Sequence, residues 1–481
     1  MMGLASPEKN QGARQHRFSS ARATAERQQR ERERPQHRRE GREEMLRCAR
    51  IATRLCASSQ LAPSAVLARA WSSTSATVVR GKSDSASNST LFRLGLGFGV
   101  GAGLALTAIA VDEGNPYGII SRASIPVLHL FDPETSHGIV IALASYGLVP
   151  RDYKTYSSSL RTTVWGKSFE NPIGLAAGFD KNAEAMESML GIGLGFVEVG
   201  SITPEPQGGN ARPRVFRIPE EQAVINRIGC NSDGSKVVSA RIRRFRTKDS
   251  KGIVGINIAK NRTSEDAAKD YVEASTVLAD KADYVVINVS SPNTPGLRSL
   301  QAGRELAKIV TEMKKALRDL SPGLPLVVKI APDLTRSEKK QIAKVVLRHG
   351  VDGLIVSNTT VSRPEGVLAA KSGSETGGLS GRPLNEKSTA LIREMYELTG
   401  GKVPIIGCGG VFTGEDVYAK VRAGASLVQL YTGLIYRGPA LVPELKKDLA
   451  SLLAADGFES VDQAVGADTR VKKRGSFLAF W

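Results

Sequence analysis

Polar side chains able to move a proton or hold a charge end several short apolar runs in this sequence. Ser291 follows one run, Lys329 lies at the end of another, and Lys181 follows a third. A serine accepts a proton only when neighbouring groups assist it, whereas a lysine can form a Schiff base or stabilise an anion. We therefore expect either proton abstraction at Ser291 or chemistry at Lys329. A structural ion pair is the alternative role for Lys329.

Four asparagines lie at the ends of such runs or in the loops that follow them: Asn226, Asn288, Asn293 and Asn358. An amide side chain both donates and accepts hydrogen bonds, so the four together favour a planar, amide-rich ligand such as a pyrimidine. Lys181 is then a candidate to hold a carboxylate of that ligand. For each asparagine taken singly, stabilisation of a turn is the alternative.

Glycine-rich turns follow the last two apolar runs. They read GCGG at 407–410 and LYTG at 430–433, and each precedes a helical pattern. Glycines let backbone N–H groups approach an anion, and the N-terminus of a helix favours negative charge. Together with Gly381 in GGLSGRP, these turns predict a phosphate site. Glycines that serve only the turns themselves are the alternative.

Eight runs of apolar, mostly β-branched residues must position these side chains. They are separated by longer segments, several with a helical pattern, and occur at 172–176, 195–201, 253–259, 284–290, 326–331, 353–358, 404–409 and 427–432. Eight such repeats predict an α/β fold, a (β/α)8 TIM barrel, whose functional residues lie at the carboxyl ends of the strands. A doubly wound open sheet is the alternative, but the turn GLAAGFDKN after the first run lacks the GxGxxG fingerprint.

The composition argues against several kinds of site. The formal charge is +18, and residues 1–93 hold 18 Lys/Arg against 8 Asp/Glu, so much of the basic surplus lies at the N-terminus. The four cysteines are widely spaced, which is not typical of a disulfide framework or a zinc knuckle. With five histidines and no HExxH motif, we expect no metal site.

The first 90 residues combine two patterns. Residues 1–44 mix charges of both signs and contain few apolar residues, which indicates disorder. From Met45, arginines recur among Leu, Ile, Val, Ser and Ala with no acid before Asp84, which is typical of a mitochondrial transit peptide. A disordered tail that binds nucleic acid is the alternative. We expect a presequence and no nucleic-acid partner, with the true start at Met1 or Met45.

An uncharged stretch, LGLGFGVGAGLALTAIAV, follows at 94–111. At 1.5 Å per residue a helix of this length covers about 27 Å, close to the thickness of a bilayer core. Glycines spaced four apart favour helix packing in lipid, so we predict a membrane anchor over 91–112. A buried helix of a soluble domain is the alternative. Basic residues precede the stretch, which directs its N-terminal side to the matrix and the body to the intermembrane space.

Eight long motifs resemble the dihydroorotate dehydrogenase family in order and spacing, from about residue 119 to residue 466. They read AAGFDKN, VEVGSITPEPQGGNARPRVFRIPEEQAVINRIGCNSDG, VINVSSPNTPGLRSLQ, VVKIAPDLT, GLIVSNTTVSRP, GGLSGRPL, VPIIGCGGV and GASLVQLYTGLIYRGP. Serine at Ser291 where the soluble class has cysteine, the N-terminal extension and the anchor resemble the membrane-bound, quinone-dependent class. The resemblance therefore implies oxidation of (S)-dihydroorotate to orotate, with FMN as hydride acceptor and ubiquinone as final acceptor, in de novo pyrimidine (UMP) biosynthesis.

The resemblance also implies which residues hold each ligand. Ser291 would take the C5 proton, and Lys329 would stabilise the reduced flavin. FMN would contact Ala176, Ala177, Gly178, Gly200, Ser201, Asn257, Asn288, Lys329, Ser357, Gly381, Gly409, Gly410, Tyr431 and Thr432. Dihydroorotate would contact Lys181, Asn226, Arg227, Ile228, Gly229, Cys230, Asn288, Asn293, Asn358 and Thr359. Cys230 stands where relatives commonly have an aromatic residue, which leaves the packing of the substrate loop open.

A path for quinone is expected in the segment 121–149. It reads as two short amphipathic helices joined at Asp132, a shape suited to the membrane surface. His137, Arg217 and Tyr431 match positions that line the quinone tunnel in the family. We expect this segment to be remote from the pyrimidine pocket.

Five regions follow from these patterns: disorder and presequence at 1–90, anchor at 91–112, helical quinone-tunnel extension at 113–152, FMN-binding barrel at 153–466 and tail at 467–481. The expected location is the inner mitochondrial membrane. Two other functions use the same residues. A Schiff-base aldolase would act through Lys329, and a membrane-anchored binding module would have no activity.

Overall fold

The computed structural model describes residues 124–248, 252–301 and 303–470. The predicted presequence and anchor lie outside the described residues, as do the first part of the predicted extension and residues 471–481 of the predicted tail.

The described residues form both strands and helices. The strands are β1 (Thr162–Val164), β2 (Lys167–Phe169), β3 (Ile173–Leu175), β4 (Phe196–Ile202), β5 (Val215–Ile218), β6 (Ala223–Asn226), β7 (Ile253–Ile258), β8 (Tyr284–Asn288), β9 (Leu326–Ile330), β10 (Gly353–Val356), β11 (Gly378–Gly381), β12 (Ile405–Cys408) and β13 (Leu427–Leu430). The helices are α1 (Pro133–Ser145), α2 (Met186–Gly191), α3 (Ser235–Thr247), α4 (Ala267–Leu278), α5 (Gly303–Leu320), α6 (Arg336–Arg348), α7 (Glu365–Ala369), α8 (Asn385–Leu398), α9 (Gly414–Ala423), α10 (Thr432–Arg437), α11 (Leu441–Ala455) and α12 (Val461–Ala464).

Eight parallel strands close into a barrel in the order β10, β12, β13, β3, β4, β7, β8, β9. These strands are the eight predicted runs, so the prediction of a TIM barrel is confirmed and the open sheet is wrong. Most strands are shorter than the runs that predicted them. Tyr431 and Thr432, for example, lie beyond β13, because Thr432 already begins α10.

Side-chain alternation explains how one strand serves two environments. In β4, Val197 and Val199 are fully buried in the large core between strands and helices. Phe196 points the other way, into the barrel, and packs edge-on against Tyr284. Long helices such as α6 and α9 begin with capping boxes, which satisfy their first free N–H groups.

A hairpin that sequence reasoning did not predict covers the amino-terminal ends of the barrel strands. Strands β1 and β2 pair antiparallel, and Trp165 in their turn donates from Nε1 to the carbonyl oxygen of Asp352 (2.7 Å), just before β10. Phe169 of β2 contacts Phe196, the first residue of β4. The hairpin therefore forms the floor of the barrel.

A small antiparallel sheet, also not predicted, lies beside the carboxyl ends of the strands. Its order is β11, β6, β5, and its own core contains Ile218, Ile225 and Leu379. The sheet brings Asn226, at the end of β6, opposite Gly378, the first residue of β11. Two distant segments thereby meet at the mouth of the barrel.

The described part of the predicted extension forms a helical segment at 124–129 and helix α1. Asp132 caps α1 by accepting from the N–H groups of Glu134 and Thr135. Apolar residues remain exposed here, including Leu130 (83%) and Leu148 (63%). No helix within residues 124–470, as far as they are described, is long and apolar enough to cross a bilayer.

The carboxyl-terminal elements pack on the barrel beyond the predicted boundary at residue 466. Ala467 and Thr469 are buried, and Asp468 forms ion pairs with Arg393 and Arg422. The described chain therefore stays packed to residue 470, four residues into the predicted tail.

Candidate active site

One cavity lies at the carboxyl ends of the barrel strands, where residues pointing into the barrel become polar. In β4, two residues after Phe196, Glu198 accepts hydrogen bonds from Asn257 and Gln429 across the barrel interior. The cavity brings together most of the predicted ligand-binding residues: Ala176, Ala177, Gly178, Lys181, Ser201, Asn226, Ile228, Gly229, Cys230, Asn288, Ser291, Asn293, Lys329, Ser357, Asn358, Thr359, Gly381, Gly409, Gly410, Tyr431 and Thr432.

Three of the residues predicted to contact FMN or dihydroorotate do not line this cavity. Gly200 and Asn257 lie behind it: a Cβ on Gly200 would lie 2.3 Å from the carbonyl oxygen of Asn257, and Asn257 is fully buried. Arg227 turns away, because its guanidinium pairs with Glu375 (2.5 Å) and stacks over the ring of Phe216. The geometry therefore argues against direct contact between Arg227 and a ligand in the cavity.

Gly409 and Gly410 form one end of the cavity. Their φ angles are +122° and +69°, and a Cβ on Gly410 would lie 2.5 Å from the backbone of Asn385. Neither amide N–H finds an acceptor among the described residues. The hydroxyls of Thr432 and Ser380, joined by a 2.9 Å hydrogen bond, line the same cavity. This end offers free donors to an anion.

A buried positive charge lies behind these glycines. Lys420, in α9, is fully buried and donates to Ser388 Oγ (2.7 Å) and Thr389 Oγ1 (2.8 Å), while Ser388 donates to the carbonyl oxygen of Gly409 (3.1 Å). Burial lowers the pKa of Lys420 to about 8. Its hydrogen-bond partners among the described residues are neutral, and the charge of Asp416 raises its pKa without forming an ion pair with it. A buried ammonium without an ion pair is costly. Sequence reasoning missed Lys420, because a lysine within a helix is usually solvated.

Lys329 projects from β9 into the middle of the cavity. It is 5% exposed, and its ammonium has no hydrogen-bond partner among the residues that the structure describes. Gln429 and Thr359 also line the cavity, and each has a buried oxygen, Oε1 and Oγ1, without a partner in the described part of the chain. Buried polar atoms are rarely left unpaired, so these three groups indicate a polar ligand.

Amide side chains connect the strand ends. Asn288 donates from Nδ2 to Ser201 Oγ (2.7 Å), and Ser201 donates to Asn257 Oδ1 (2.5 Å). Glu198 accepts from Asn257 Nδ2 (2.8 Å), which fixes the amide of Asn257 with its oxygen towards Ser201. Asn293 donates to Asn226 Oδ1 (3.1 Å). The predicted asparagines therefore do meet around one cavity.

Ser291 is partly buried in the loop after β8. The N–H of Asn293 donates to Ser291 Oγ (3.3 Å). The loop is held by Arg298, which donates to the carbonyl oxygens of Ser290 (3.0 Å) and Thr359 (2.7 Å) and pairs with Asp333 (3.0 Å). Sequence reasoning missed this anchor.

Asp333 connects three loops at the mouth of the barrel. It accepts hydrogen bonds from Lys387 and Thr360, both 2.5 Å, and from the N–H of Val361. Burial opposes ionisation, but these donors outweigh it and lower the pKa of Asp333 to about 2. The anchor of the Ser291 loop is thus charged at all ordinary pH values.

Asp180 and Lys181 form the turn after β3. Burial raises the pKa of Asp180 to about 6, although the N–H groups of Glu184 and Ala185 donate to its carboxylate. Burial lowers the pKa of Lys181 to about 8, and its Nζ donates to Asn231 Oδ1. Lys181 lines the cavity and is a cation able to bind a carboxylate there.

Cys230 lines the cavity beside Gly229. Burial raises the pKa of its thiol, and its Sγ lies 3.5 Å from Thr294 Oγ1. The same residue also borders a second, adjoining cavity of about 500 Å³.

Of the three residues predicted for the quinone tunnel, His137 lies in α1, Arg217 contacts the segment just before α1, and Tyr431 lines the cavity. His137 donates from Nε2 to the carbonyl oxygen of Phe179 (2.7 Å), and the Phe179 ring packs edge-on against His137 and Tyr431. Arg217 donates to the carbonyl oxygen of Phe131. Because Phe179 directly precedes the Asp180–Lys181 turn, the extension is not remote from the predicted pyrimidine pocket, contrary to the sequence-based expectation.

Comparisons with known proteins bear on this cavity. The family model for dihydroorotate dehydrogenase matches residues 159–453. The mitochondrial dihydroorotate dehydrogenase (quinone) of Arabidopsis thaliana is 51% identical over 371 residues, covering 72% of this chain and 81% of that protein. The mitochondrial enzyme of the same name from Mus musculus is 52% identical over 348 residues, 71% of this chain and 88% of the relative. A crystal structure of dihydroorotate dehydrogenase from Eimeria tenella in complex with ferulenol is 43% identical, with a TM-score of 0.69, and covers 72% of this chain and 99% of that one.

Proposed function

The chain belongs to the dihydroorotate dehydrogenase family and is an oxidoreductase, and on this premise we propose that it oxidises (S)-dihydroorotate to orotate with FMN as first electron acceptor and ubiquinone as the final one. Relatives from plants, mammals and bacteria whose names specify quinone support the choice of oxidant. The reaction would serve de novo pyrimidine (UMP) biosynthesis.

The cavity fits FMN in charge and in shape. The free N–H groups of Gly409 and Gly410 and the hydroxyl of Thr432 would hold its phosphate, with Lys420 behind them. Lys329, whose ammonium has no partner in the described chain, would balance negative charge on the ring. FMN, when bound, supplies a two-electron acceptor that takes a hydride from dihydroorotate and returns electrons to quinone.

The remaining predicted cofactor residues would act by shape and orientation. Gly178 has a φ of +99°, and a Cβ there would lie 3.2 Å from the Tyr431 ring, so only glycine leaves that space open. Asn257 and Gly200 would act from behind the lining: Asn257 orients Ser201, and the carbonyl oxygen of Gly200 accepts from the N–H of Gly178 (2.6 Å).

Dihydroorotate carries a carboxylate on an amide-rich ring, and both features have candidate partners. Lys181 would hold the carboxylate, while Asn226, Asn293 and Asn358 would pair with the ring amides. Thr359 Oγ1, buried without a partner among the described residues, is a further donor. Ile228, Gly229 and Cys230 would close the pocket by packing.

Ser291 would accept the C5 proton of dihydroorotate while the C6 hydride leaves. The N–H of Asn293 donates to Ser291 Oγ, and the Arg298 anchor holds the loop. A base that is held in place does not need to be reoriented for each turnover. The loop therefore supplies position, and a neighbouring acceptor must assist the proton transfer.

Quinone would approach along α1, past His137, Arg217 and Tyr431. The exposed apolar residues of this segment suit a membrane surface. Two of the relatives compared above are named as mitochondrial. We accordingly propose a mitochondrial protein with a presequence in 1–90, an anchor at 91–112 in the inner membrane and a tunnel extension at 113–152. The barrel at 153–466 would face the intermembrane space, and the first four residues of the tail at 467–481 pack on it.

The observation that carries this proposal is one cavity lined by the Lys329 ammonium, which has no hydrogen-bond partner among the described residues, by free backbone N–H groups and by a serine in a held loop. The test is the visible spectrum of the purified chain. We expect a yellow protein with about one FMN per chain, bleached by dihydroorotate without oxygen and recoloured by a ubiquinone analogue. A colourless, folded protein whose Lys329 is trapped on a carbonyl substrate by borohydride would instead favour an aldolase.

A further inference from the structure

An ion pair joins α1, the helix proposed to serve quinone, to Arg214, the residue just before β5. Glu134, in the first turn of α1, accepts from Arg214 Nη2 (2.6 Å) and Nε (3.1 Å). Arg214 is 6% exposed, so the pair is largely shielded from water. Arg212 donates to the same carboxylate (2.9 Å), but its side chain is 72% exposed.

Arg214 also fixes the loop that precedes it. Its Nη1 donates to the carbonyl oxygens of Gly208 (2.8 Å) and Asn210 (2.6 Å). The carbonyl oxygen of Arg214 accepts from the N–H of Arg227 (2.8 Å). The buried guanidinium of Arg214 therefore connects α1 with the 208–210 loop, and the backbone of the same residue bonds to Arg227.

Asn210 extends this connection to the substrate side. Its Nδ2 donates to the carbonyl oxygens of Asn293 (3.1 Å) and Arg227 (2.8 Å). Asn293 lines the cavity, and its N–H donates to Ser291 Oγ. Hydrogen bonds thus run without a break from Glu134 through Arg214 and Asn210 to the loop that carries Ser291.

We propose that Glu134 is a positioning residue for dihydroorotate oxidation, acting through Arg214 and Asn210 on the Asn293–Ser291 loop. The inference rests on the function proposed above. Removing the carboxylate leaves a buried guanidinium without its counter-charge, and such a group moves towards other acceptors or water. Because Arg214 holds Asn210 by its carbonyl oxygen, that movement displaces the Asn293 side of the cavity.

The test is Glu134→Gln in the detergent-purified full chain, measured as the rate of anaerobic flavin reduction per bound flavin. We expect the dihydroorotate concentration giving half-maximal reduction to rise about tenfold, the scale for one lost charge-assisted hydrogen bond. Expressing the rate per bound flavin removes any loss through unfolding. A purely structural role would lower flavin content or thermal stability and leave this concentration unchanged.

Arg212→Gln is the matched control. It removes a cation from the same carboxylate, but Arg212 is exposed and makes no hydrogen bond to the 208–210 loop. We expect its half-maximal concentration to stay within twofold of wild type. An equal rise in Arg212→Gln would mean that the charge of α1, not the path through Arg214, is responsible.

A double-mutant cycle identifies the path. Asn210→Ala should reproduce the rise, and Glu134→Gln combined with Asn210→Ala should add little to either single change, because both lie on one path. Full additivity would overturn the inference. So would an unchanged Glu134→Gln protein beside a wild type that dihydroorotate reduces normally. A wild type that dihydroorotate fails to reduce would overturn the proposed function and this inference with it.

Discussion

The cofactor end of the cavity and the helix α1 differ in how they are held. At the cofactor end, Lys329, Thr432 and Lys420 are at most 5% exposed and belong to the barrel and its helices. Helix α1 buries only Ile141 and Ala144 in the main core and leaves Leu143 exposed, and it makes further polar contacts through Glu134 and His137. In the proposed function, the buried cofactor end holds the flavin and the more exposed helix α1 serves quinone.

This difference predicts which of the two half-reactions a substitution will slow. A change at the cofactor end should affect both half-reactions, because each passes through the same flavin. A change in α1 should affect quinone alone, unless it breaks a contact such as Glu134 with Arg214 that reaches the substrate loop. The four changes below test this division, from the largest expected effect to the smallest.

Ser291→Ala should slow flavin reduction by dihydroorotate about 10²-fold or more while the flavin stays bound, since a positioned base contributes on this scale. Reoxidation by quinone should not change, because Ser291 acts only on dihydroorotate. Anaerobic stopped-flow measures the first rate, and the flavin spectrum measures retention. Ser291→Cys should keep part of the activity, since a thiol also accepts a proton. An unchanged reduction rate in Ser291→Ala would remove Ser291 from the mechanism.

Lys420→Met should weaken FMN binding about 10- to 100-fold, the scale of a lost interaction with a charged group. Riboflavin, which lacks the phosphate, should bind equally well to both proteins. Titration of flavin-free protein by fluorescence quenching measures both affinities. Lys446→Met is the control, because Lys446 is equally buried but pairs with Asp152 outside the cavity. If Lys420→Met weakens both flavins equally, Lys420 supports only the fold.

Raising the pH should weaken dihydroorotate binding. Burial lowers the pKa of Lys181 to about 8, so its ammonium is charged below that pH and is lost as the pH rises through it. The KM for dihydroorotate should therefore be flat below about pH 8 and rise up to about tenfold per pH unit well above it. Lys181→Arg keeps its charge and should flatten the profile, whatever its KM. A wild-type KM without pH dependence would exclude Lys181 as the carboxylate partner.

Arg217→Ala should raise the KM for quinone about fivefold, the scale of one ordinary hydrogen bond, with little effect on dihydroorotate. Steady-state assays that vary one substrate at a time separate the two constants. His137→Ala should do the same on the quinone side, but His137 contacts Phe179 beside Lys181, so a smaller rise for dihydroorotate is also expected. A rise for dihydroorotate in Arg217→Ala would break the division between the two regions.

The sequence was informative where function depends on strand ends. Ser291 and Lys329 could be found because apolar runs mark the strands, and parallel strands bring their carboxyl ends to one edge. Each such residue needs only local pattern and the barrel rule. Both residues line the same cavity, so this reasoning was enough to bring their side chains to one place.

The sequence did not predict contacts between residues that are far apart in the chain. Glu134 and Arg214 are 80 positions apart, and nothing in either neighbourhood indicates the other. Lys420 and the hairpin floor were missed for the same reason, because burial of a helix lysine and closure of a barrel end are tertiary events. Arg227 shows the converse: its family position indicated a ligand, while its guanidinium pairs with Glu375.

The β1–β2 hairpin closes the amino-terminal end of the barrel and so limits how reactants can enter. Trp165 is hydrogen-bonded to Asp352, and Phe169 packs on Phe196, so the barrel is covered at this end and its cavity lies at the other. If the proposed function is right, dihydroorotate and quinone must therefore both reach the flavin from the carboxyl ends of the strands. The turn that begins at Phe179 is shared by both proposed sites, because its first residue bonds to His137 and its Lys181 lines the cavity. A single turn of the chain is therefore all that separates the proposed quinone site from the proposed dihydroorotate site.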